Sequence, residues 1–364
     1  MKGCFRKMWA LALSVALGGQ WSTSVLGEDI GANEEQPGAV KKESPWLLTP
    51  TLSSSPKMGN SLGGMAGYLF KLDSQSPTSM VGATASYSDT DSSIYGLFGR
   101  LYFGEDHHRI LMGAVHGNIK NSYEDFLGTG FEALTTDDMS VGFARYLYGF
   151  PKGWYVGVQA LRMDYQIEGR DEFTRALLKV LGLTGYNSNA LGLAVERDTR
   201  NQQNSPSSGS WLTFNNNAFR EALGGDVSFD AYAANYSYYY GFADRHVLAS
   251  RVTGRWTTDA PRSGFSSIDL RGYTRGEYLA PNVTTVEIEE RYRITERWGA
   301  TAFLGAACLY GDGRSCDSED NWYPAGGAGI TYLLKPQEGM IARLEFAVGK
   351  EGNHGLYMQF GNAF

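Results

Sequence analysis

The chain has 364 residues and a formal charge of −7, with 46 glycines, 22 tyrosines, 18 phenylalanines and 8 tryptophans against only 5 histidines and 11 prolines. The acidic balance excludes nucleic acid as a partner, since phosphate binding calls for a basic surface. Glycine and aromatics are over-used for a soluble domain, yet mean hydropathy is negative and no internal run reaches the ~20 apolar residues of a spanning helix.

Residues 1–27 read as a secretory signal peptide. Lys2, Arg6 and Lys7 precede the short apolar core 8–18, and Val25 and Gly27 are small-residue cleavage positions. Residues 28–44, with Glu34, Glu35, Lys41, Lys42 and Glu43, form a short charged linker on the periplasmic side without periodicity. Cys4 leaves with the leader, and the spacing of Cys308 and Cys316 fits one local disulfide in an oxidising compartment. Nothing adjoins that pair to complete a metal site, and no cofactor is expected.

From residue 45 to 364 the pattern is that of strands. Period-two segments at 46–54, 60–73, 78–88, 92–103, 107–119, 136–149, 153–167, 185–198, 208–220, 226–241, 245–259, 282–294, 297–311, 322–334, 340–350 and 354–364 are separated by turn residues. Their links alternate in length. Short ones fall at 73–77, 104–106, 150–153, 242–244, 295–297 and 335–339, and longer ones at 119–135, 168–184, 260–281 and 312–321. Such sorting predicts an all-β, 16-stranded antiparallel transmembrane β-barrel of the outer membrane, with short periplasmic turns and both termini in the periplasm.

Face alternation predicts a polar interior for the later strands. Arg251 and Arg255 oppose Leu248, Val252 and Trp256; Glu287, Glu289, Arg291 and Arg293 oppose Val286, Ile288 and Tyr292; Arg343 and Glu345 oppose Leu344, Phe346 and Val348. Such charges are costly against lipid and tolerable in an aqueous lumen. Tyr146, Tyr148, Phe150, Trp154 and Tyr155, with Tyr236, Tyr238, Tyr239, Tyr240 and Phe242, cluster beside short turns as a periplasmic aromatic girdle. In the link 168–184, residues 171–181 predict a helix with Phe173, Leu177, Val180 and Leu181 on one stripe, placed across the barrel mouth or on the leaflet surface. In the last segment Leu356, Met358, Phe360 and Phe364 share one face, which puts Phe364 at the membrane–water boundary.

Catalytic signatures are missing from the sequence: no G-x-S-x-G, H-E-x-x-H or phosphate loop occurs. His107 and His108 beside Glu105 and Asp106 read as a solvated hairpin rather than a metal site, and the acidic pair Asp137 and Asp138 has no nucleophile nearby. The chain is therefore not expected to be an enzyme.

Three stretches carry a family resemblance. Asp198-Thr-Arg200-Asn with Pro206 and Gly209, in a turn of periplasmic parity, resembles the D-x-R-[DN]…P-x-x-G turn of the bacterial surface antigen barrels, the group that includes the assembly factors BamA and TamA. Leu270-Arg271-Gly272-Tyr273 in the longest outward link is similar to that family's Arg-Gly-aromatic signature on a loop returning into the lumen. Arg343-Leu-Glu-Phe-Ala347 followed by Phe360-Gly-Asn-Ala-Phe364 resembles its closing strands. The motif-bearing part is 185–364. Two departures stand out: 28–44 is too short for a POTRA repeat, and the expected F-x-D-x-G strand reads Phe303-Leu-Gly305-Ala-Ala307.

The resemblance implies that Arg271 pins the returned loop on a wall carboxylate. Glu345, then Glu289 and Glu287, are the candidates that share the lumenal face. Function expected from the resemblance is insertion or translocation of protein or lipid clients at a lateral seam between the first and last strands. A passive pore or structural surface barrel is the alternative. Expected partners are outer-membrane lipid and lipopolysaccharide, unfolded outer-membrane protein clients, and a periplasmic accessory protein.

Overall fold

The computed structural model describes residues 44–55, 59–123, 133–273 and 277–364. The leader, the linker up to residue 43 and part of the 119–135 link lie outside the described residues. The strands are β1 (Trp46–Ser55), β2 (Gly59–Phe70), β3 (Ser79–Ser88), β4 (Ser93–Phe103), β5 (His108–Tyr123), β6 (Ala133–Phe150), β7 (Trp154–Gly169), β8 (Gly185–Asp198), β9 (Ser208–Phe219), β10 (Phe229–Phe242) and β11 (His246–Thr258). A two-residue pair, β12 (Ser266–Ser267) and β13 (Leu279–Ala280), follows within one loop. The series ends with β14 (Asn282–Arg293), β15 (Trp298–Tyr310), β16 (Trp322–Lys335), β17 (Met340–Gly349) and β18 (His354–Phe360). Apart from β12 and β13, all close into one antiparallel barrel of sixteen strands, each beside its chain neighbour, with β18 returning to β1.

Closure removes sheet edges, which is what allows strands to cross a membrane. Every strand shows two faces. On β14, Val286 and Ile288 are exposed while Glu287 and Glu289 between them are buried. On β17, Leu344, Phe346 and Val348 face out, and Arg343 and Glu345 face in.

The lumen is polar only in part. On β4 to β10 it is filled by an apolar cluster that includes Ile94, Ile119, Met139, Leu161, Met163, Phe219 and Phe229. Here the outward face carries the polar groups, among them Asp138, Arg162 and Gln166. Strand length explains the inversion. β5, β6 and β7 run 16, 18 and 16 residues, well beyond the ~9–11 that cross a bilayer, so their far ends stand in water and pack inward like a soluble sheet.

Short turns gather at one end of the barrel, here the turn end, and long links at the other, the loop end. Tyr146, Tyr148, Phe150, Trp154, Tyr236, Tyr238, Tyr240 and Phe242 face outward at the turn end. Tyr155 and Tyr239, expected in that girdle, instead point into the lumen at 8% and 1% exposure, as their strand parity dictates.

Helix α1 (Glu172–Leu181) is capped by Asp171, whose carboxylate accepts from the Thr174 N–H at 2.8 Å and the Thr174 hydroxyl at 2.7 Å. Its packed face runs through Thr174 and Leu178, with Leu177 and Leu181 partly covered, while Phe173 and Val180 are exposed. The expected stripe was thus rotated. Leu178 packs with Ala133 and Ile167 at the loop-end tips of β6 and β7, so the helix lies at the mouth.

Candidate functional site

The loop between β11 and β14 folds back into the lumen and delivers Arg271 to three buried carboxylates. Arg271 Nη1 donates to Glu289 Oε2 at 2.6 Å and to Glu345 Oε1 at 2.7 Å; Nη2 and Nε donate to Glu287 Oε1 at 2.7 and 3.1 Å. Its guanidinium lies 3.5 Å over the Phe303 ring. All three sequence-derived candidate carboxylates meet it, with side chains at 0% exposure.

More arginines than the sequence reading assigned complete the cluster. Arg251 pairs with Glu287, Arg291 with Glu289 at 2.7 Å, and Arg343 lies 3.6 Å from both Glu289 and Glu345. Register explains the meeting. Arg251 is directly opposite Glu287 across β11 and β14, and Glu289 is opposite Phe303 across β14 and β15. A signal was present, because these charges share one face of adjacent strands; only the fourfold convergence was not legible.

The neighbours of Arg271 hold the loop's shape. Gly272 has φ +91°, and a Cβ there would meet the Val348 carbonyl carbon at 2.9 Å. Its N–H donates to Tyr357 Oη at 3.0 Å, which ties the loop to β18. The Tyr273 hydroxyl donates to the Pro324 carbonyl at 2.6 Å and accepts from the Lys350 N–H at 2.7 Å. Leu270 is buried with Ile268 and Leu309. Gly305, where the family pattern has an aspartate, leaves room for that burial: a Cβ there would lie 2.7 Å from Glu287 Cγ and 2.8 Å from Leu270 Cδ1. Glu287, directly opposite Gly305, supplies a carboxylate from across the ladder.

Phe364 lies elsewhere than the strand pattern placed it. β18 ends at Phe360, Gly361 turns the backbone at φ +89°, and Phe364 is buried in the lumen beside Tyr239 and Ala249. The ring stands 4.9 Å from the Arg251 guanidinium and 5.5 Å from that of Arg291, whose Nη2 donates to the Phe364 carbonyl oxygen at 2.6 Å. A ring among guanidinium groups gains cation–π attraction that the lipid boundary does not offer.

The Asp198 turn forms a second arginine clasp, separate from the first. Arg200 Nε and Nη2 donate to the two Asp198 oxygens at 2.8 Å each, and its guanidinium stacks 4.6 Å from the Trp211 ring. Arg109 joins from β5, donating to Asp106, Glu196 and Asp198. Pro206 is buried, and Gly209 at φ +95° lets the turn close against Thr199. From there the turn reaches across the barrel end: Asn204 Nδ2 donates to the Glu338 carbonyl at 2.8 Å, and Asn362 Nδ2 to the Asn204 carbonyl at 3.2 Å. Cys308 and Cys316 are joined by a disulfide. In the hairpin once weighed for metal, Asp106 is held by Arg109 and His108 stacks on Phe103.

A sequence model of the Omp85 superfamily domain matches residues 115–313. Among solved structures, BamA from Haemophilus ducreyi lacking POTRA domains 1–3 aligns at 11% identity and TM-score 0.58, over 88% of this chain and 70% of its own. CdiB from Escherichia coli aligns at 11% identity and TM-score 0.60, over 88% of this chain and 63% of its own. CdiB from Acinetobacter baumannii aligns at 10% and 0.57, over 86% and 59%. At such identities the likeness is one of fold. No curated protein sequence matches the chain.

Proposed function

The chain belongs to the Omp85 superfamily of outer-membrane barrels, and from that premise we propose that it assists insertion or translocation of protein or lipid clients through a lateral seam between β1 and β18. The observation that carries this reading is the pairing of those strands. Among the described residues only Ser53 with Tyr357 and Ser54 with Leu356 are in register, whereas every other neighbouring pair in the barrel shares at least seven positions. Along the rest of β1 the ladder continues on the β2 side alone. A strand edge of that kind can template an incoming strand by main-chain hydrogen bonds.

The sorting of links supports an orientation with the turn end, and hence both ends of the chain, in the periplasm. Lipopolysaccharide then surrounds the loop end, and clients or a periplasmic accessory protein approach the turn end. The lumen, filled by the returned loop with its Arg271–carboxylate cluster, here the latch, and by the apolar cluster of β4 to β10, fits this role better than that of an open pore. The reading assigns no catalysis to the chain.

The test is a disulfide lock across the seam, Ser54→Cys with Leu356→Cys. Oxidised cells should lose assembled outer-membrane proteins and regain them with reductant. If the locked barrel leaves those proteins unchanged, and depletion alters only solute permeability, the pore alternative stands instead.

A further inference from the structure

At the turn end of the barrel lies a recess of about 490 Å³ between the latch and the clasp, whose lining includes groups that neither of them uses. Its roof is Arg291 and Thr301, direct partners across β14 and β15. Both carry a buried atom without a hydrogen-bond partner, Nη1 of the arginine and Oγ1 of the threonine, and Thr301 is only 5% exposed. Buried donors are almost always satisfied in folded proteins. Two adjacent ones opening on one cavity mark a place for an acceptor oxygen.

Charge points the same way. Arg245, Arg293 and Arg297 line the opening, and each spends a guanidinium N–H on a backbone carbonyl, those of Ile294, Asp244 and Leu333. None of the three forms an ion pair among the described residues. With Arg291 the lining carries four guanidinium groups against the carboxylates of Asp244 and Glu296, in a chain whose net charge is −7. Positive potential concentrated in a concave, low-dielectric recess draws anions.

We propose that this recess is a docking socket for an acidic, partly apolar segment of a soluble periplasmic protein. It rests on the orientation given above for the turn end. Val247, Leu333 and Ile341 sit between the arginines, so the occupant carries apolar side chains as well as carboxylates. That disfavours a small inorganic anion. The volume suits a few residues rather than a domain, within the ~300–1,000 Å³ usual for ligand sites. Ser205 and Asn362, tied to the lumenal tail, belong to the same lining.

The experiment uses the whole barrel in detergent micelles and a short fluorescein-labelled peptide of glutamate and leucine, read by anisotropy. Saturable binding is expected. It should weaken about tenfold or more in Arg293→Gln with Arg297→Gln, weaken severalfold in Thr301→Val, and vanish when lysine replaces glutamate in the peptide. Both arginines are exposed, and heat-modifiable mobility verifies that each variant is folded. The proposal is overturned by absence of saturable binding, by equal binding to the arginine variants, or by displacement of the peptide by inorganic phosphate or phosphatidylglycerol vesicles at matched charge. Binding in micelles is independent of orientation. Asp244→Cys challenged with an impermeant maleimide on intact cells tests orientation alone, and labelling there would overturn the periplasmic assignment without touching the micelle result.

Discussion

Replacing Arg271 with alanine should release the returned loop and weaken the barrel by about 3 kcal/mol. Arg271 donates four hydrogen bonds to three carboxylates at 0% exposure. Removing one partner of a buried ion pair costs about 3–5 kcal/mol, because the charge left behind stays out of water. Here the loss is uneven. Glu287 keeps Arg251 and Glu289 keeps Arg291, whereas the nearest arginine to Glu345 is Arg343 at 3.6 Å, beyond hydrogen-bond range. One carboxylate rather than three loses its main donor, which sets the estimate at the low end of that range. A change of ~3 kcal/mol exceeds a hundredfold in an equilibrium constant. Arg271→Lys should be intermediate, since lysine keeps the charge but not the fork that bridges three partners. The assay is the midpoint of the heat-modifiable shift on gels, together with tryptic cleavage at Arg262 in the same loop. An unchanged midpoint with an uncut loop in Arg271→Ala would refute the reasoning.

Gly272→Ala should also free the loop, because its φ of +91° is strained for alanine and the new Cβ would meet the β17 backbone at 2.9 Å; a strain of about 1–3 kcal/mol would be read as new proteolytic cuts at loop 259–281. Gly305→Asp, which restores the family's residue, should destabilise this barrel by crowding Glu287 and Leu270, and Glu287→Ala in the same chain should recover part of the loss in the heat-shift midpoint. If the aspartate is tolerated alone, the cross-ladder substitution is not what happened here. Acidification should fray α1 in a defined direction. The Thr174 hydroxyl and N–H hold the Asp171 pKa below the ordinary carboxylate value. The cap therefore contributes fully above the unfolded carboxylate range and is lost as pH falls through the depressed folded value. Amide exchange at Leu178 should rise only below that range, and exchange that already rises near neutrality would contradict it.

Strand positions were legible because a barrel writes one rule, period two with sorted links, along its whole length. The latch was legible for a related reason: Glu287, Glu289 and Glu345 had to share the face that Arg271 enters. Physical causes separate what was missed. Gly361 breaks a pattern that Leu356, Met358 and Phe360 begin, and the partners that draw the tail inward, Asn204 and Arg291, are distant in sequence. Period two also cannot say where the membrane ends, so the polar interior expected for the later strands does not extend to Met139, Leu161 and Met163, which pack inward on strands longer than a bilayer needs. In α1 the stripe through Phe173 and Val180 fits a helical wheel, but burial is set by Ala133 and Ile167, which no local pattern reveals.

If the seam opens as proposed, the latch is placed so that it can hold while β1 and β18 part. Arg271 grips β14 and β17, Tyr273 grips β16 and the turn after β17, and Gly272 bonds Tyr357 on β18. The tail beyond β18 is likewise fixed to Arg291 and to the Asn204 turn. Parting of β18 from β1 would break the two register pairs present among the described residues and leave these bonds of Arg271, Gly272 and Tyr273 in place. The β14 to β18 side is braced from within by buried charge, while β1 is held mainly by its ladder with β2. Polar networks of this kind are high in cost when half satisfied, so under the proposed function the cluster would resist partial opening and leave the seam as the place to part. Under the proposed function, a client strand entering there would meet the β18 edge that Gly272 and the tail contacts hold, and take the place of β1.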